Sequence, residues 1–386
     1  VLNVTAQSTS NFTTNIARFA ANITGAGQNL SLTDYDGFSI ANAGVKTAGG
    51  TIRLNAGTTA AGDITGAGAI NATTSGNVAL NSARGGINLS SAPSQVTADN
   101  LTIIAQNSVA MNTSVNTIDA NVTDAAATLT VNENTGLTVA NALTTGGSIS
   151  ITSGLGGSSS LTATGTINAT LTGNVSLRNS NGGISMTAVN QVVGNILTID
   201  ARDDVAVNTS IGTLDGKVGF AGTGNASASL TVNEATGLGL ANAVTKGGDV
   251  FITSGLYGAS NLNGSGSISA VNGTNSGNVT LTVNGAIVLN QAPGQVAANV
   301  LTIAAQNSVA VNTSVVTLDA NVSTNASLID FINGPSPLFT TPWNWKLWRV
   351  VIRNVPLPCR VARSSNTRYC AALNTPPGMR PRIMNM

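Results

Sequence analysis

A 22-residue segment beginning at Leu101, LTIIAQNSVAMNTSVNTIDANV, returns at Leu301 as LTIAAQNSVAVNTSVVTLDANV with 18 positions identical. It also returns at Leu197 as LTIDARDDVAVNTSIGTLDGKV, and a diverged copy, LNVTAQSTSNFTTNIARFAANIT, begins at Leu2. The starts lie 99, 96 and 104 residues apart. Two further blocks keep this phase. LSLTDYDGFSIANA at Leu30 matches LTVNENTGLTVANA at Leu129 and LTVNEATGLGLANA at Leu230, while GNVALNSARGGINL at Gly76 matches GNVSLRNSNGGISM at Gly173 and GNVTLTVNGAIVLN at Gly277. Self-similarity at a fixed period marks a supersecondary unit that buries its apolar face only against its neighbours. The units run over about 2–100, 101–196 and 197–300, with a truncated fourth at 301–330.

Inside each unit, apolar residues come in pairs at spacing two, separated by Gly, Asn, Ser or Thr. Leu129 and Val131, Leu137 and Val139, Ile149 and Ile151, Val175 and Leu177, Ile184 and Met186, Leu197 and Ile199, and Val205 and Val207 are such pairs. This alternation places apolar side chains on one face of short strands. Helix is disfavoured because Gly, Asn, Thr and Ser fill the intervals and no 3.6-residue period is present. The clusters divide each unit into about four sub-repeats of ~20–30 residues, the range of stacked solenoid coils. The fold class predicted is all-β, a repetitive parallel β-solenoid in which inward Val, Leu and Ile stack from coil to coil. Asn and Thr are expected as turn formers and hydrogen-bonded ladders. At ~4.8 Å per stacked strand, about 13 coils over residues 1–330 give a rod of about 60 Å. Tandem Ig-like β-sandwiches are the alternative: the long unit suits them, whereas the short sub-repeat and the lack of core Trp and Tyr favour the solenoid.

Composition narrows the chemistry. The chain has no His and only 8% charged residues, yet it is 42% hydrophobic. Without His, Ser-His-Asp triads and His-ligated zinc sites are excluded. The one acidic cluster that resembles an active site is Asp203–Asp204 with Asp200 and Arg202 beside it. Paired carboxylates on a β-helix face can supply acid and base to a polysaccharide. The same positions read Gln106, Asn107 and Ser108 in one good copy and Gln306, Asn307 and Ser308 in another, so a solvated coil edge is the expected role, and no catalytic, cofactor or metal residue is assigned. The calcium nonapeptide G-G-x-G-x-D does not occur: of Gly146–Gly147, Gly182–Gly183 and Gly247–Gly248, only the last is followed by Asp, at position 249, and the pairs are expected in tight turns. No G-x-x-x-x-G-K-[ST] phosphate loop occurs either. Asn-x-Ser/Thr triplets at Asn3, Asn22, Asn121, Asn168, Asn208 and Asn278 follow from composition, and the VNTS segments at Asn208 and Asn312 are expected to cap turns.

The charge is split. Residues 1–330 carry 8 basic and 15 acidic side chains, and residues 331–386 carry 8 basic and none acidic. The same tail holds Trp343, Trp345 and Trp348, Cys359 and Cys370, and 8 of the 10 Pro. It departs from the repeat after Leu328, where earlier copies continue TVNENTGL or TVNEATGL. An unrelated basic Pro/Trp/Arg-rich tail, disordered or derived from a shifted reading frame, is the expectation. A genuine C-terminal segment and a basic membrane-surface helix are the other readings, and no nucleic-acid partner is expected. Lys346, Arg349 and Arg353 interrupt the tail's apolar run, so no segment reaches the roughly 18 apolar residues of a membrane helix.

Repeats of the LTIxAQNSVAVNTS and GNVTLxxxGAI type resemble those of filamentous-haemagglutinin-like bacterial exoproteins, which are secreted by a two-partner route, and of β-strand-repeat autotransporter adhesins. The resemblance covers about residues 1–330. With Val1 at its start and no signal peptide, secretion domain or anchor in view, the chain is expected to be an interior fragment of such a protein. The resemblance implies export through an outer-membrane secretion pore to the bacterial cell surface, and a non-enzymatic stalk that mediates attachment. Expected partners are host glycans or matrix proteins, or further copies of the chain, and no cofactor is expected. A β-helix lyase or hydrolase using Asp200, Asp203 and Asp204, and a passive biofilm or surface-layer matrix protein, are the alternatives.

Overall fold

Five-residue strands with alternating burial are the local unit of the structure. LTVNE at Leu129–Glu133 and ISITS at Ile149–Ser153 each bury their first, third and fifth side chains and turn the second and fourth outward. The computed structural model describes residues 1–273, 275–323, 329–333, 349–353, 359–363 and 367–369. They fall into two units, Val1–Thr198 and Ile199–Met386.

In the first unit each strand pairs in parallel with a strand one turn later. Leu30 stands beside Ile52, Ile52 beside Val78, Val78 beside Leu101 and Leu101 beside Ile118. Leu32, Leu54, Leu80, Ile103 and Ala120 form the neighbouring column in the same pairings. In the second unit Val205, Leu230, Val250, Val279, Leu301 and Leu318 make an equivalent column. All of these side chains are buried. Each contributes about 1.5–3 kcal/mol on leaving water, and the stack is the core. The chain is a parallel β-solenoid. A sandwich needs antiparallel sheets, and among the described residues the antiparallel pairs are two hairpins, Val271–Asn272 with Asn275–Ser276 and Cys359–Arg363 with Thr367–Tyr369. No helix occurs among the described residues that is long and apolar enough to cross a membrane.

All seven apolar pairs expected to face inward do so. The turn length is more variable than the alternation suggests. A turn takes 17 residues between Leu101 and Ile118, because the strand Val109–Ala125 bends around the coil without a loop. It takes 29 between Val250 and Val279, because the hairpin at Val271–Ser276 is inserted. The interior also admits phenylalanine: Phe19 and Phe38 are buried and meet edge to face with ring centroids 6.3 Å apart.

Polar groups in the interior are tied to particular turns. Once per sequence repeat a buried glutamine closes a corner: Gln191 Nε2 donates to the carbonyls of Ala163 (2.7 Å) and Gly165 (3.0 Å), and its Oε1 accepts from Ala188 N–H. Gln95 and Gln295 repeat the arrangement on Gly66 and Gly68 and on Gly264 and Gly266. Replacing Gln191 by Ala strands two carbonyls and one N–H, so a loss of about 2 kcal/mol is expected in chemical denaturation, with hydrogen exchange rising at Ala188 first.

The Asn and Thr expectations are refined. Asn132 Nδ2 donates to Asn112 Oδ1 (3.1 Å) and Asn233 Nδ2 to Asn208 Oδ1 (2.9 Å), which are hydrogen-bonded ladder steps. Asn112 and Asn312 lie within strands, yet each caps two carbonyls of the preceding turn, at Ser90 and Ala92 and at Asn290 and Ala292. Asn168 Oδ1 accepts from Thr170 N–H within its own turn.

Past Val322 the stacking continues in the described backbone. Ile329–Asn333 pairs in parallel with Val309–Thr313, Arg349–Arg353 with Thr317–Asn321, and Cys359–Arg363 with Ile329–Asn333. The expectations for Trp343, Trp345, Trp348 and Cys370 lie outside the described residues.

Candidate functional site

Three carboxyls are fully buried, one at the end of the same strand in each of three repeats: Asp34, Glu133 and Glu234. Glu133 Oε2 accepts from Thr113 Oγ1 (2.8 Å) and Val115 N–H (2.9 Å) of the previous coil. Its Oε1 accepts from Thr135 N–H and Oγ1, both at 2.8 Å. Glu234 does the same with Thr209, Ile211 and Thr236. Each glutamate thus ties a turn to the coil before it. Burial pushes the Glu234 carboxyl above its ordinary value, against the pull of these four donors.

Asp34 keeps the bonds to Thr14 Oγ1 and Ile16 N–H, but the position of Thr135 and Thr236 holds Asp36. An acceptor replaces a donor, and Asp34 Oδ1 and Asp36 Oδ1 are both buried without a hydrogen-bond partner. Burial raises the Asp34 carboxyl, and the neighbouring Asp36 carboxyl adds to this. These carboxyls hold the fold and offer no approach to a substrate. Their sequence signal was the recurrence of Glu133 and Glu234 in LTVNE, where an acid closes an otherwise apolar alternation.

The cluster singled out from the sequence lies at a coil edge of the second unit. Asp203 Oδ1 accepts from Asn225 Nδ2 (2.8 Å), and Asp204 Oδ1 accepts from Ser229 N–H (2.7 Å) and Oγ (3.0 Å). Both act on the next coil's turn, and Asp200 is half-buried on the strand before them. Asp204 also lines a surface groove of about 880 Å³, together with Asn225, Asp249, Phe251, Asn275 and Asn278. Asp203 and Asp200 are not among its lining residues. Asp249 Oδ1 accepts from Asn278 N–H (2.7 Å), and Phe251 is 40% exposed. In the sequence Asp249 stood out only as the Asp after Gly247–Gly248, and Phe251 not at all; the signal for both was the change from GGSISITS at Gly146 to GGDVFITS at Gly247. Among the described residues no three Cys, Asp or Glu side chains converge as a metal site would require.

Compared with protein-family models, curated proteins and solved structures, the chain matches none. Its class therefore rests on its fold and repeats: it is a β-helix repeat protein.

Proposed function

We propose that the chain is a structural stalk of a secreted or cell-surface bacterial protein, an adhesin-type passenger that works by extension and contact without a chemical step. What supports this reading is the use made of the recurring polar side chains. Glu133 and Glu234, Gln95, Gln191 and Gln295, and Asn112 and Asn312 all hold one coil to the next. A repeat that reuses its polar residues for stacking is built for length and rigidity, and its outward strand faces are left for contact. Export through an outer-membrane pore fits a parallel stack, whose coils add one after another to a finished template.

Attachment is tested by measuring adhesion of the full chain, immobilised on beads, to host cells and to collagen, fibronectin and glycan-coated surfaces, alongside its self-association by sedimentation. Selective adhesion by a non-associating chain is expected. Self-association without selective adhesion would identify a passive matrix protein. For the enzyme alternative, wild type and the double variant Asp203→Asn, Asp204→Asn should both release no reducing ends from pectin, xylan or chitin, because the two carboxylates are engaged with the neighbouring turn. Cleavage by the wild type that disappears in the variant would replace the stalk reading with a polysaccharide-cleaving one.

A further inference from the structure

Four of the places where the third repeat departs from the second lie at the groove described above. Asp203–Asp204 stands where the second repeat has Asn107–Ser108. Val218 to Leu230 is five residues longer than Val122 to Leu129, and the extra chain forms the loop that presents Asn225. Asp249 and Phe251 replace Ser148 and Ser150. Ile268 to Val279 is three residues longer than Ile167 to Val175, which makes the hairpin Val271–Ser276 with Asn275 on the groove wall. No other described hairpin interrupts the parallel stack before Cys359.

The two aspartates exceed what the fold requires of them. Ser108 Oγ accepts from Thr128 N–H (3.0 Å), the bond that Asp204 makes to Ser229 N–H. Ser148 Oγ accepts from Asn174 N–H (3.4 Å), the bond that Asp249 makes to Asn278 N–H. Serine therefore serves both positions in the second repeat. In the third, each aspartate makes the same bond through Oδ1 and adds a charge and a second oxygen that the turn does not use. Phe251 sits on the outward face of its strand, two residues past Asp249 on the same coil, flanked in register by Thr231 and Thr280.

We propose that this groove binds a neutral oligosaccharide. A sugar ring has an apolar C–H face that packs on an exposed aromatic ring, and hydroxyls that donate to carboxylates in short, charge-assisted bonds. Phe251 provides the first, Asp204 and Asp249 the second, and the Asn275 and Asn278 amides can serve ring and acetamido oxygens. No Lys or Arg is among the residues that line the groove, and Lys246 Nζ lies beside Gly224 in the loop that carries Asn225. Two carboxylates with no cation among the lining residues disfavour sulfated and uronate sugars. The groove is open to solvent and brings one exposed aromatic ring and several polar groups onto one face of the coils. The inference rests on the reading of the chain as a contact-making stalk and names one contact.

The test titrates the full chain calorimetrically with cellohexaose, mannohexaose and chitohexaose, and with a heparin hexasaccharide as the anionic counterpart. At least one neutral hexasaccharide should bind and the heparin fragment should not. Phe251→Ser and Asp249→Ser restore residues that the second repeat carries at these positions, so the fold is kept, which circular dichroism checks. Phe251→Ser should weaken binding about tenfold or more through loss of ring stacking, and Asp249→Ser about threefold to tenfold through loss of a charge-assisted bond. Absence of binding by all three neutral sugars, an unchanged affinity in Phe251→Ser, or preferential binding of the heparin fragment each overturns the groove proposal. Failure here with selective bead adhesion intact removes the groove and leaves the stalk. Sugar binding without any adhesion does the reverse.

Discussion

Gly147→Ala should be among the most damaging single substitutions in the first unit, costing about 3 kcal/mol or more, although it adds only one methyl group. A Cβ on Gly147 would stand 1.9 Å from the carbonyl oxygen of Ala127 on the previous coil, with the Ala127 and Ala126 carbonyl carbons close behind. Those atoms are backbone and cannot rotate away. The same corner occurs as TAGG, TTGG and TKGG at Thr47, Thr144 and Thr245, and each threonine hydroxyl donates to the carbonyl of the second glycine. The two glycines of the pair have different tasks. Gly146 has φ +86°, so Gly146→Ala meets a conformational penalty of about 1 kcal/mol, whereas Gly147 is fixed by the approach of the adjacent coil. A methyl group on Gly157 would meet nothing within 4 Å, and its φ is not left-handed, so Gly157→Ala should be neutral within about 0.5 kcal/mol. Urea denaturation of the three variants checks the order. Equal effects at Gly146 and Gly147 would mean that the coils do not approach as closely as the register requires.

Glu234→Ala should destabilise the second unit by about 3 kcal/mol. It removes the acceptor for Thr209 Oγ1 (2.7 Å) and Ile211 N–H (3.0 Å), both in buried residues, and for Thr236, which is exposed enough to turn to water. Each buried donor left unpaired costs about 1–3 kcal/mol, and relief of the buried charge offsets part of that. Glu234→Gln keeps an oxygen toward Thr209 and Ile211 and sets its amide against Thr236, so a loss of about 1 kcal/mol is expected. The two variants also isolate a pH effect. Because the folded carboxyl sits above its ordinary value of 4.5, the folded state holds the proton more tightly than the unfolded chain. Its contribution is therefore greatest below the unfolded value and fades as pH rises through the folded one. Wild type should gain stability relative to Glu234→Gln as pH falls from neutral toward 4.5, measured by urea titration at each pH. A gain in the opposite direction would place the carboxyl below its ordinary value.

Much of the fold was legible in the chain. Spacing-two pairs such as Leu129 and Val131 determine which face of a strand is buried, because successive side chains on a strand point to opposite sides. Repeated Thr-x-Gly-Gly segments mark corners between strands, whereas the Asn-Thr-Ser segments at Asn112, Asn208 and Asn312 lie within strands. The reason that Gly147 must be glycine was not legible, because the obstructing atom belongs to a residue 20 positions earlier, at Ala127. Asp36 stands two residues from Asp34 in the sequence, but the burial of an unpartnered oxygen on each is set by the coils packed around them.

The sequence by itself determined strand, alternation and repeat, which are local properties written within a few residues. Stacking register decided the rest. Turn lengths from 17 to 29 residues within positions 1–322 set which strands become neighbours, and small insertions at Val218–Leu230 and Ile268–Val279 shift the surface without disturbing the column beneath. Asp204, Asn225, Asp249 and Asn278 are spread over four successive passes of the chain, and they line one groove because parallel stacking places each pass beside the next. A linear pattern encodes the side chains of each pass, while their convergence depends on the distance the chain travels before it returns.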